Sequence, residues 1–328
     1  MGDTLNLQED KMVQIAPTEG LSHVIGDQSN PLLNVTLPDF FNYTRRKYGH
    51  CEAVVFSQFN MRWTYSELLD KCDAFAAGLL ALGLYKGDRV GIWSPNRAEW
   101  IIAQIATARL GIILVNINPA YKGTELKYCI NKVDLKCLIF ATQFKSSAYA
   151  QTILDLCPEL VEQKPGHLHL KKLPSLRVLV QISETPIAGA YSFQEVVKRA
   201  NSGYFERLDH IANGLRPDDA INIQFTSGTT GSPKGATLSH KNIINNAVSC
   251  AKAMNLTHYD RVCIPVPLYH CFGMVLGTLA CCAAGATMIY PSEGFEPDKT
   301  MHALKSESCT AVHGVPTMFY SDVSVLRI

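Results

Sequence analysis

The sequence has almost no net charge, and this lack already excludes several classes of function. Its 328 residues contain 30 lysine and arginine residues against 29 aspartate and glutamate residues, for a formal net charge of +1. The two signs are interspersed, so no basic stripe is available for a nucleic acid or an anionic membrane surface. The composition therefore favours small molecules as binding partners.

The sequence also lacks the cysteine spacings of metal sites and redox motifs. It contains eleven cysteines, an odd number, and none lies in a C-x-x-C or a cysteine/histidine ligand pattern. Most stand singly on apolar runs, which indicates small buried side chains in a reducing compartment. The adjacent Cys281 and Cys282 leave redox chemistry or core packing open, and the absence of charged neighbours favours packing.

Membrane and targeting signals are missing as well. Residues 262–292 contain no Asp, Glu, Lys or Arg, but prolines and glycines divide this stretch, which predicts a buried strand, helix and strand rather than a membrane span. The amino terminus carries early acidic residues and no arginine, so it resembles neither a signal peptide nor a transit peptide. Asn6 stands where N-myristoylation requires serine or threonine.

Apolar strands alternate with helical stretches through most of the chain. Thr64 and Glu67 predict a capping box at the start of a helix that ends near Gly83. The strongest strand patterns lie at residues 89–93, 112–117, 137–141, 176–182 and 221–226. Because these strands are apolar on both faces, they predict an α/β fold with a parallel sheet covered on both sides.

The same pattern predicts three regions along the chain. Residues 1–34 show no sustained period and are expected to form a poorly ordered lead. A first α/β region is expected over residues 35–200 and a second over residues 201–328. Residues 200–219 have the composition of a linker between them.

A loop rich in glycine and hydroxyl groups follows the strand at residues 221–226. The stretch FTSGTTGSPKGATLSH, residues 225–240, holds three glycines, seven serine or threonine residues and one lysine. Open α/β sheets bind ligands at the carboxyl ends of their strands, and this mixture of groups suits a polyphosphate. The candidate phosphate-binding residues are Thr226, Ser227, Gly228, Thr229, Thr230, Gly231, Ser232, Pro233 and Lys234.

Two other interpretations compete for this loop. Flexible linkers share its composition, but its place between two apolar strands argues against a linker. A Walker A loop would need a glycine where Pro233 stands and a helix directly afterwards, whereas residues 235–239 are typical of a strand. The sequence therefore predicts a phosphate loop of a different type.

Six stretches together resemble the AMP-forming adenylate synthetases, which include acyl-CoA synthetases, firefly luciferase and peptide-synthetase adenylation domains. They span residues 63–319 and read, in order, WTYSEL, GDRVGIWSPNRAEW, NINPAY, TSGTTGSPKG, PLYHCFG and GVPTMF. The resemblance implies two stacked α/β subdomains followed by a small carboxyl-terminal domain. It also implies an acid–thiol ligase: a carboxylate attacks ATP to give acyl-adenylate and pyrophosphate, and coenzyme A then displaces AMP.

Substrates and compartment follow from the same resemblance. ATP, Mg²⁺ and coenzyme A are the expected cofactors and co-substrates. Medium-chain fatty-acid ligases of mitochondria are similar in the glycine loop and in PLYHCFG, so the resemblance implies a fatty acid as the acyl substrate. It implies the mitochondrial matrix, with the cytosol as the alternative because no transit peptide is visible.

The resemblance also gives roles to individual residues. It implies that residues 226–234 close over the β- and γ-phosphates. Tyr269, His270 and Phe272 of PLYHCFG are expected to line the acyl pocket near the reacting carboxylate. A lone histidine in an apolar run is otherwise most often a core residue with one hydrogen bond.

Further candidates are less specific. His313, Gly314 and Thr317 are expected either to form another pocket wall or to be a strand end and turn. Asn96 and Asn118 precede helices and are interpreted as cap or turn residues without a catalytic role.

The chain stops at Ile328, whereas members of the resembled family continue. The resemblance implies that motifs for adenine and ribose, and the lysine of a small carboxyl-terminal domain, are not in this chain. It is thus expected to be the amino-terminal part of a ligase, inactive and poorly soluble alone. The alternative is a catalytically inactive isoform that acts as a binding or interaction protein.

Overall fold

The computed structural model describes residues 31–228 and 231–325. The strands in this part of the chain are β1 Glu52–Phe56, β2 Met61–Thr64, β3 Arg89–Trp93, β4 Ile113–Asn116, β5 Cys137–Ala141, β6 Val178–Ile182, β7 Ala190–Ser192, β8 Ala220–Gly228, β9 Gly231–Ser239, β10 Arg261–Cys263, β11 Thr287–Tyr290 and β12 Ala311–Val312. The α-helices are α1 Leu37–Tyr48, α2 Tyr65–Ala81, α3 Ala98–Leu110, α4 Gly123–Lys132, α5 Tyr149–Leu156, α6 Phe193–Val197, α7 Ser202–Asn213, α8 His240–Ala253, α9 Ala280–Ala284, α10 Pro297–Ser306 and α11 Pro316–Val325. A π-helix spans Phe272–Leu279.

The strands form two sheets. One has seven strands in the order β7-β6-β5-β3-β4-β8-β9, and the other has five in the order β12-β10-β11-β1-β2. Neighbouring strands are parallel except for β8 with β9 and β1 with β2, which are antiparallel. The predicted parallel arrangement is therefore confirmed for most pairs, and a hairpin closes one edge of each sheet.

The predicted division near residue 200 does not separate the two sheets. β1 and β2 precede it but lie in the five-stranded sheet, while β8 and β9 follow it and lie in the seven-stranded sheet. The prediction of a linker at residues 200–219 is wrong, because α7 occupies most of this range. Asn201 caps this helix by accepting from the Tyr204 N–H at 3.2 Å, and Leu208 is buried against the core.

Both faces of the seven-stranded sheet are buried, which explains the continuous apolar strands. In β5, Cys137 and Ile139 join one apolar cluster, while Leu138 and Phe140 join a second on the opposite face. Successive strand residues point to opposite faces, so an apolar strand needs cover on both. The first cluster also contains Val54 of the five-stranded sheet, so one core connects the two sheets.

Local signals place several helices as predicted. The Thr64 Oγ1 accepts from the Glu67 N–H at 3.3 Å, and the Glu67 carboxylate accepts from the Thr64 N–H at 2.8 Å, so the capping box is confirmed. Gly83 follows α2 with φ +77°, a left-handed conformation that favours glycine. α3 is apolar nearly all round and is almost entirely buried.

The uncharged stretch at residues 262–292 folds as a strand, a helical segment and a strand, as predicted. β10 ends at Cys263, earlier than its apolar run, because Pro265 and Pro267 have no N–H for a sheet ladder. The helical segment begins as the π-helix, where the Thr278 hydroxyl donates to the Gly273 carbonyl at 2.9 Å. Among the described residues no helix is both long and apolar enough to cross a membrane.

A buried histidine joins the start of α8 to the start of α1. The Leu37 N–H donates to His240 Nδ1 at 3.0 Å, and His240 Nε2 has no partner in the described part of the chain. Burial lowers the pKa of His240 to about 4, although Asp219 opposes the shift. Protonation would place a hydrogen on Nδ1, where the Leu37 N–H already points.

Protonation of His240 should therefore lower the stability of the protein at acidic pH. The folded-state pKa of His240 lies below the ordinary value of about 6.5. The stability that the neutral side chain contributes is therefore fully present above pH 6.5 and is lost as pH falls towards 4. The loss should approach roughly 3 kcal/mol. His240→Asn keeps an acceptor for Leu37, and its free energy of unfolding should depend less on pH between 6.5 and 4. The exposed His167→Asn is the control, and parallel profiles for wild type and His240→Asn would refute the assignment.

Candidate functional site

The described residues of the glycine loop lie at the end of β8 and the start of β9, which pair as a hairpin. Thr226 is opposite Lys234 and Gly228 is opposite Gly231 in the hairpin register. Ser227 lies in β8, and Ser232 and Pro233 lie in β9. The remaining candidates, Thr229 and Thr230, lie outside the described residues.

Near its turn end, this hairpin makes contacts that the sequence did not reveal. The Thr226 hydroxyl donates to the Lys234 carbonyl at 3.4 Å across the hairpin. The Tyr128 hydroxyl of α4 donates to the Pro233 carbonyl at 3.2 Å. The Lys234 side chain itself is exposed, so its ammonium group is available to an anion in solution.

A cavity of about 340 Å³ opens at the carboxyl edge of both sheets. β3, β4 and β8 run parallel, so their carboxyl ends lie on the same edge. The residues that line the cavity come from loops after β3, β4, β5, β10 and β11, and from α11: Ser94, Pro95, Asn96, Asn118, Pro119, Ala120, Phe144, Lys145, Ser146, Ser147, Pro265, Pro267, Tyr269, Glu293, Gly294, Phe295 and Met318. Open α/β folds place ligands in this position.

Asn96 joins the two sheets by hydrogen bonds beside the cavity. Its side-chain amide donates to the Val266 carbonyl at 3.0 Å and accepts from the Leu268 N–H at 2.7 Å. Its own N–H donates to the Glu293 carbonyl at 2.9 Å. Asn96 is 1% exposed and lies in the bend between β3 and α3, so the turn interpretation holds, whereas the cap interpretation is wrong because Arg97 is the N-cap of α3. It binds the irregular segment that follows β10.

A second set of buried amides connects the hairpin strand with the same segment. Asn222 of β8 donates to the Asn116 Oδ1 at 3.0 Å, and Gln224 donates to the Asn222 Oδ1 at 2.9 Å. Asn116 in turn donates to the Tyr269 carbonyl at 3.0 Å. These bonds run from β8 through β4 to Tyr269, and they fix the distance between the hairpin and the PLYHCFG segment.

The residues of PLYHCFG occupy different environments. Tyr269 lines the cavity, and burial raises the pKa of its hydroxyl. His270 is exposed, and its Nδ1 accepts from the Phe272 N–H at 3.1 Å. An exposed imidazole does not fit the core-histidine interpretation. His270 and Phe272 are not among the residues lining the cavity.

The candidate site residues of the GVPTMF region also lie in different environments. His313 is buried, its Nε2 lies 3.2 Å from the Leu276 carbonyl, and its ring packs edge-on against Phe272 at 5.2 Å. Burial lowers the pKa of His313. Gly314 lies close to the ring of Phe319, and Thr317 is exposed in the first turn of α11. The neighbouring Met318 reaches the cavity instead.

Two lining residues make polar contacts beside the cavity. Asn118 accepts from the Ala120 N–H at 2.9 Å, which confirms a turn residue, and it lies on the cavity wall. Glu293 forms an ion pair with Arg97 on the opposite sheet. No local sequence pattern predicts such long-range contacts. The only available signal for the cavity wall was the position of NINPAY at the end of a strand.

Solved structures share this fold. A long-chain-fatty-acid–CoA ligase, FadD1 of Archaeoglobus fulgidus, superposes with a TM-score of 0.73 at 22% identity, covering 94% of this chain and 57% of that one. The anthranilate CoA ligase AuaEII, solved with anthranoyl-AMP, gives a TM-score of 0.72 at 21% identity, covering 88% and 51%. The α/β fold is thus that of the amino-terminal domains of adenylate-forming enzymes.

The chain belongs to the AMP-binding enzyme family, which matches residues 41–325. It is 41% identical over 305 residues to the mitochondrial medium-chain acyl-CoA ligase ACSF2 of Danio rerio, covering 92% of this chain and 50% of that protein. The human ACSF2 is 41% identical over 315 residues, covering 94% and 51%. The chain spans about half the length of the curated relatives it matches.

Removal of the Asn96 amide should destabilise the protein. Asn96→Ala leaves the Val266 carbonyl and the Leu268 N–H buried without partners, which should lower the free energy of unfolding by roughly 2–4 kcal/mol. Urea denaturation of the natural protein that contains this chain measures the change. Asn131→Ala is the matched control, because it removes one exposed bond, to the Lys172 carbonyl. Equal effects of the two substitutions would contradict the role of Asn96.

Proposed function

We propose that this chain forms the phosphate and acyl sides of the active site of an AMP-forming acyl-CoA synthetase. The β8–β9 hairpin carries the proposal: it brings glycines, residues with hydroxyl groups and Lys234 to the carboxyl edge of a parallel sheet, the same edge at which a cavity of about 340 Å³ opens. The proposed reaction joins a carboxylic acid to ATP as acyl-adenylate and then transfers the acyl group to coenzyme A.

In the first half-reaction, the proposed task of the hairpin is electrostatic. Charge accumulates on pyrophosphate as the carboxylate oxygen attacks the α-phosphate and the bond to the β-phosphate breaks. Donors and a cation that are already in place stabilise this charge, and little covalent chemistry is left to the protein. Thr226 to Lys234 are assigned to the β- and γ-phosphates, with Lys234 as the cation.

The cavity is assigned to the acyl substrate. Its wall combines apolar side chains, including Phe144, Phe295 and Met318, with Tyr269 and the Asn118 turn at the sheet edge. A mostly apolar pocket with a few polar groups suits a hydrocarbon chain that ends in a carboxylate. A medium-chain fatty acid and the mitochondrial matrix are proposed on the likeness to relatives named as mitochondrial medium-chain ligases.

Magnesium is expected with ATP in this family. The described residues contain no cluster of three or more His, Cys, Asp or Glu side chains that could hold a metal ion. They therefore do not fit a dedicated protein site for Mg²⁺, and the proposal assigns no residue of this chain to it.

Loss of the hairpin cation should impair adenylation more than folding. Lys234→Ala in the natural protein should reduce ATP–pyrophosphate exchange roughly 100- to 1,000-fold, because a charge aimed at the leaving group is removed. Lys198→Ala is the matched control, since this exposed lysine caps α6 near β7, at the opposite edge of the seven-stranded sheet. Wild-type exchange in Lys234→Ala would refute the phosphate role. A natural protein that binds ATP without exchange would favour the non-catalytic alternative.

His270 should influence the choice of fatty acid. His270→Ala should change the dependence of the rate on acyl-chain length while leaving the KM for ATP nearly unchanged. His270 does not line the cavity itself, but it directly follows Tyr269, which does, and it precedes the π-helix. Thermal unfolding should change little, since the side chain is exposed. The exposed His302→Ala on α10 is the control. A uniform loss for all fatty acids, together with a lower Tm, would argue for a structural role.

A further inference from the structure

Two thiols meet beneath α10, on the outer face of the five-stranded sheet. Cys263 of β10 is fully buried and lies in register with Ile289 of β11. Cys309 follows α10 and packs against the small apolar cluster of Val55, Ile289 and Ala303. The Cys263 thiol donates a hydrogen bond to the Cys309 sulfur, and the Cys309 thiol donates to the Ala303 carbonyl oxygen at 3.5 Å.

Backbone hydrogen bonds hold both sides of this thiol contact. The Thr310 N–H donates to the Arg261 carbonyl at 2.9 Å, and the Cys309 N–H donates to the Leu304 carbonyl at 3.0 Å. The His313 N–H donates to the Cys263 carbonyl at 2.9 Å. Each cysteine therefore lies on backbone that is hydrogen-bonded to the other's strand or to α10, so the two backbone segments that carry the thiols are held side by side.

The surroundings of Cys309 favour its thiolate. The hydrogen bond from Cys263 lowers the pKa of Cys309, and the Arg261 guanidinium adds to the effect against the opposing influence of burial. Burial raises the pKa of Cys250 and of Cys271, which are similarly half-buried. Thiolates rather than thiols react with peroxides and disulfides. Cys309 also remains partly accessible, whereas Cys263 does not.

We propose that Cys309 and Cys263 are a peroxide-sensitive redox pair that forms a reversible disulfide. The Cys309 thiolate attacks one oxygen of hydrogen peroxide, the O–O bond breaks, and a sulfenic acid and hydroxide result. Cys263 sulfur then attacks the Cys309 sulfur, the S–S bond forms and the S–O bond breaks. Hydroxide leaves and takes up the Cys263 proton as water. Overall, two thiols and one peroxide give one disulfide and two waters, and a dithiol reductant reverses the bond.

This redox pair is independent of the proposed function, because neither cysteine lines the cavity or lies in the hairpin.

The pair can be tested by oxidation and peptide mapping. The reduced natural protein is exposed to hydrogen peroxide, alkylated and digested without reductant, and the peptides are identified by mass spectrometry. Trypsin leaves Cys263 on one peptide with Cys271, Cys281 and Cys282, so chymotrypsin is needed as a second protease to separate Cys263.

The expected product is a peptide pair linked through Cys263 and Cys309, which dithiothreitol separates. Cys309→Ser should abolish the linkage. Cys263→Ala should stop the reaction at the sulfenic acid of Cys309, which dimedone traps. Cys250→Ser is the matched control and should retain the linkage.

Three results would overturn the pair. The first is folded wild-type protein whose Cys309 reaches sulfinic acid without any link to Cys263. The second is a link from Cys309 to another cysteine. The third is equal dimedone labelling of Cys309 in wild type and in Cys263→Ala. The first two come from the wild type alone, so they remain decisive if the buried Cys263→Ala substitution prevents folding.

Discussion

The irregular segment between β10 and the π-helix depends on asparagine side chains that are distant in the sequence. Prolines prevent this segment from continuing the sheet, so its backbone groups need other partners. Asn96 supplies both a donor and an acceptor to it from 170 and 172 positions away. Asn116 supplies a third bond, to the Tyr269 carbonyl. The cavity wall and the placement of Tyr269 follow from these bonds, because little else in the segment is paired with a neighbouring strand.

The chain crosses between the sheets more than once, and this makes them mutually dependent. β1 pairs in parallel with β11, although more than two hundred residues separate them, with Val54 opposite Met288. Likewise, β8 pairs with β4, with Asn222 opposite Leu114. Contacts of such long sequence separation close only after the intervening chain has been ordered, which slows folding. The five-stranded sheet is made from two separate portions of the chain, and these flank the portion that forms the seven-stranded sheet, so the two sheets are expected to fold as one cooperative unit.

Sequence patterns predicted the local elements well and the long-range ones poorly. The capping box at Thr64 and the buried strand at residues 137–141 could be read because caps and apolar runs act within a few residues. The hairpin of β1 and β2 was missed, since both strands are short. The partners of Asn96 could not be read at all, because an asparagine before a helix has the same local pattern whether it caps that helix or bonds to another sheet.

The Lys234 side chain of the hairpin is exposed to solvent. A lysine exposed to water interacts weakly with a single phosphate, because solvent screens the charge and the side chain loses rotamer freedom on binding. The hydroxyl of Tyr128 and the cross-strand bond from Thr226 hold the hairpin near its turn end, which reduces the ordering that a ligand must impose. Affinity then depends on how well the remainder of the ligand is bound at the sheet edge and excludes water. A hairpin of this kind suits a ligand that has several phosphates and a second anchoring group better than it suits free phosphate.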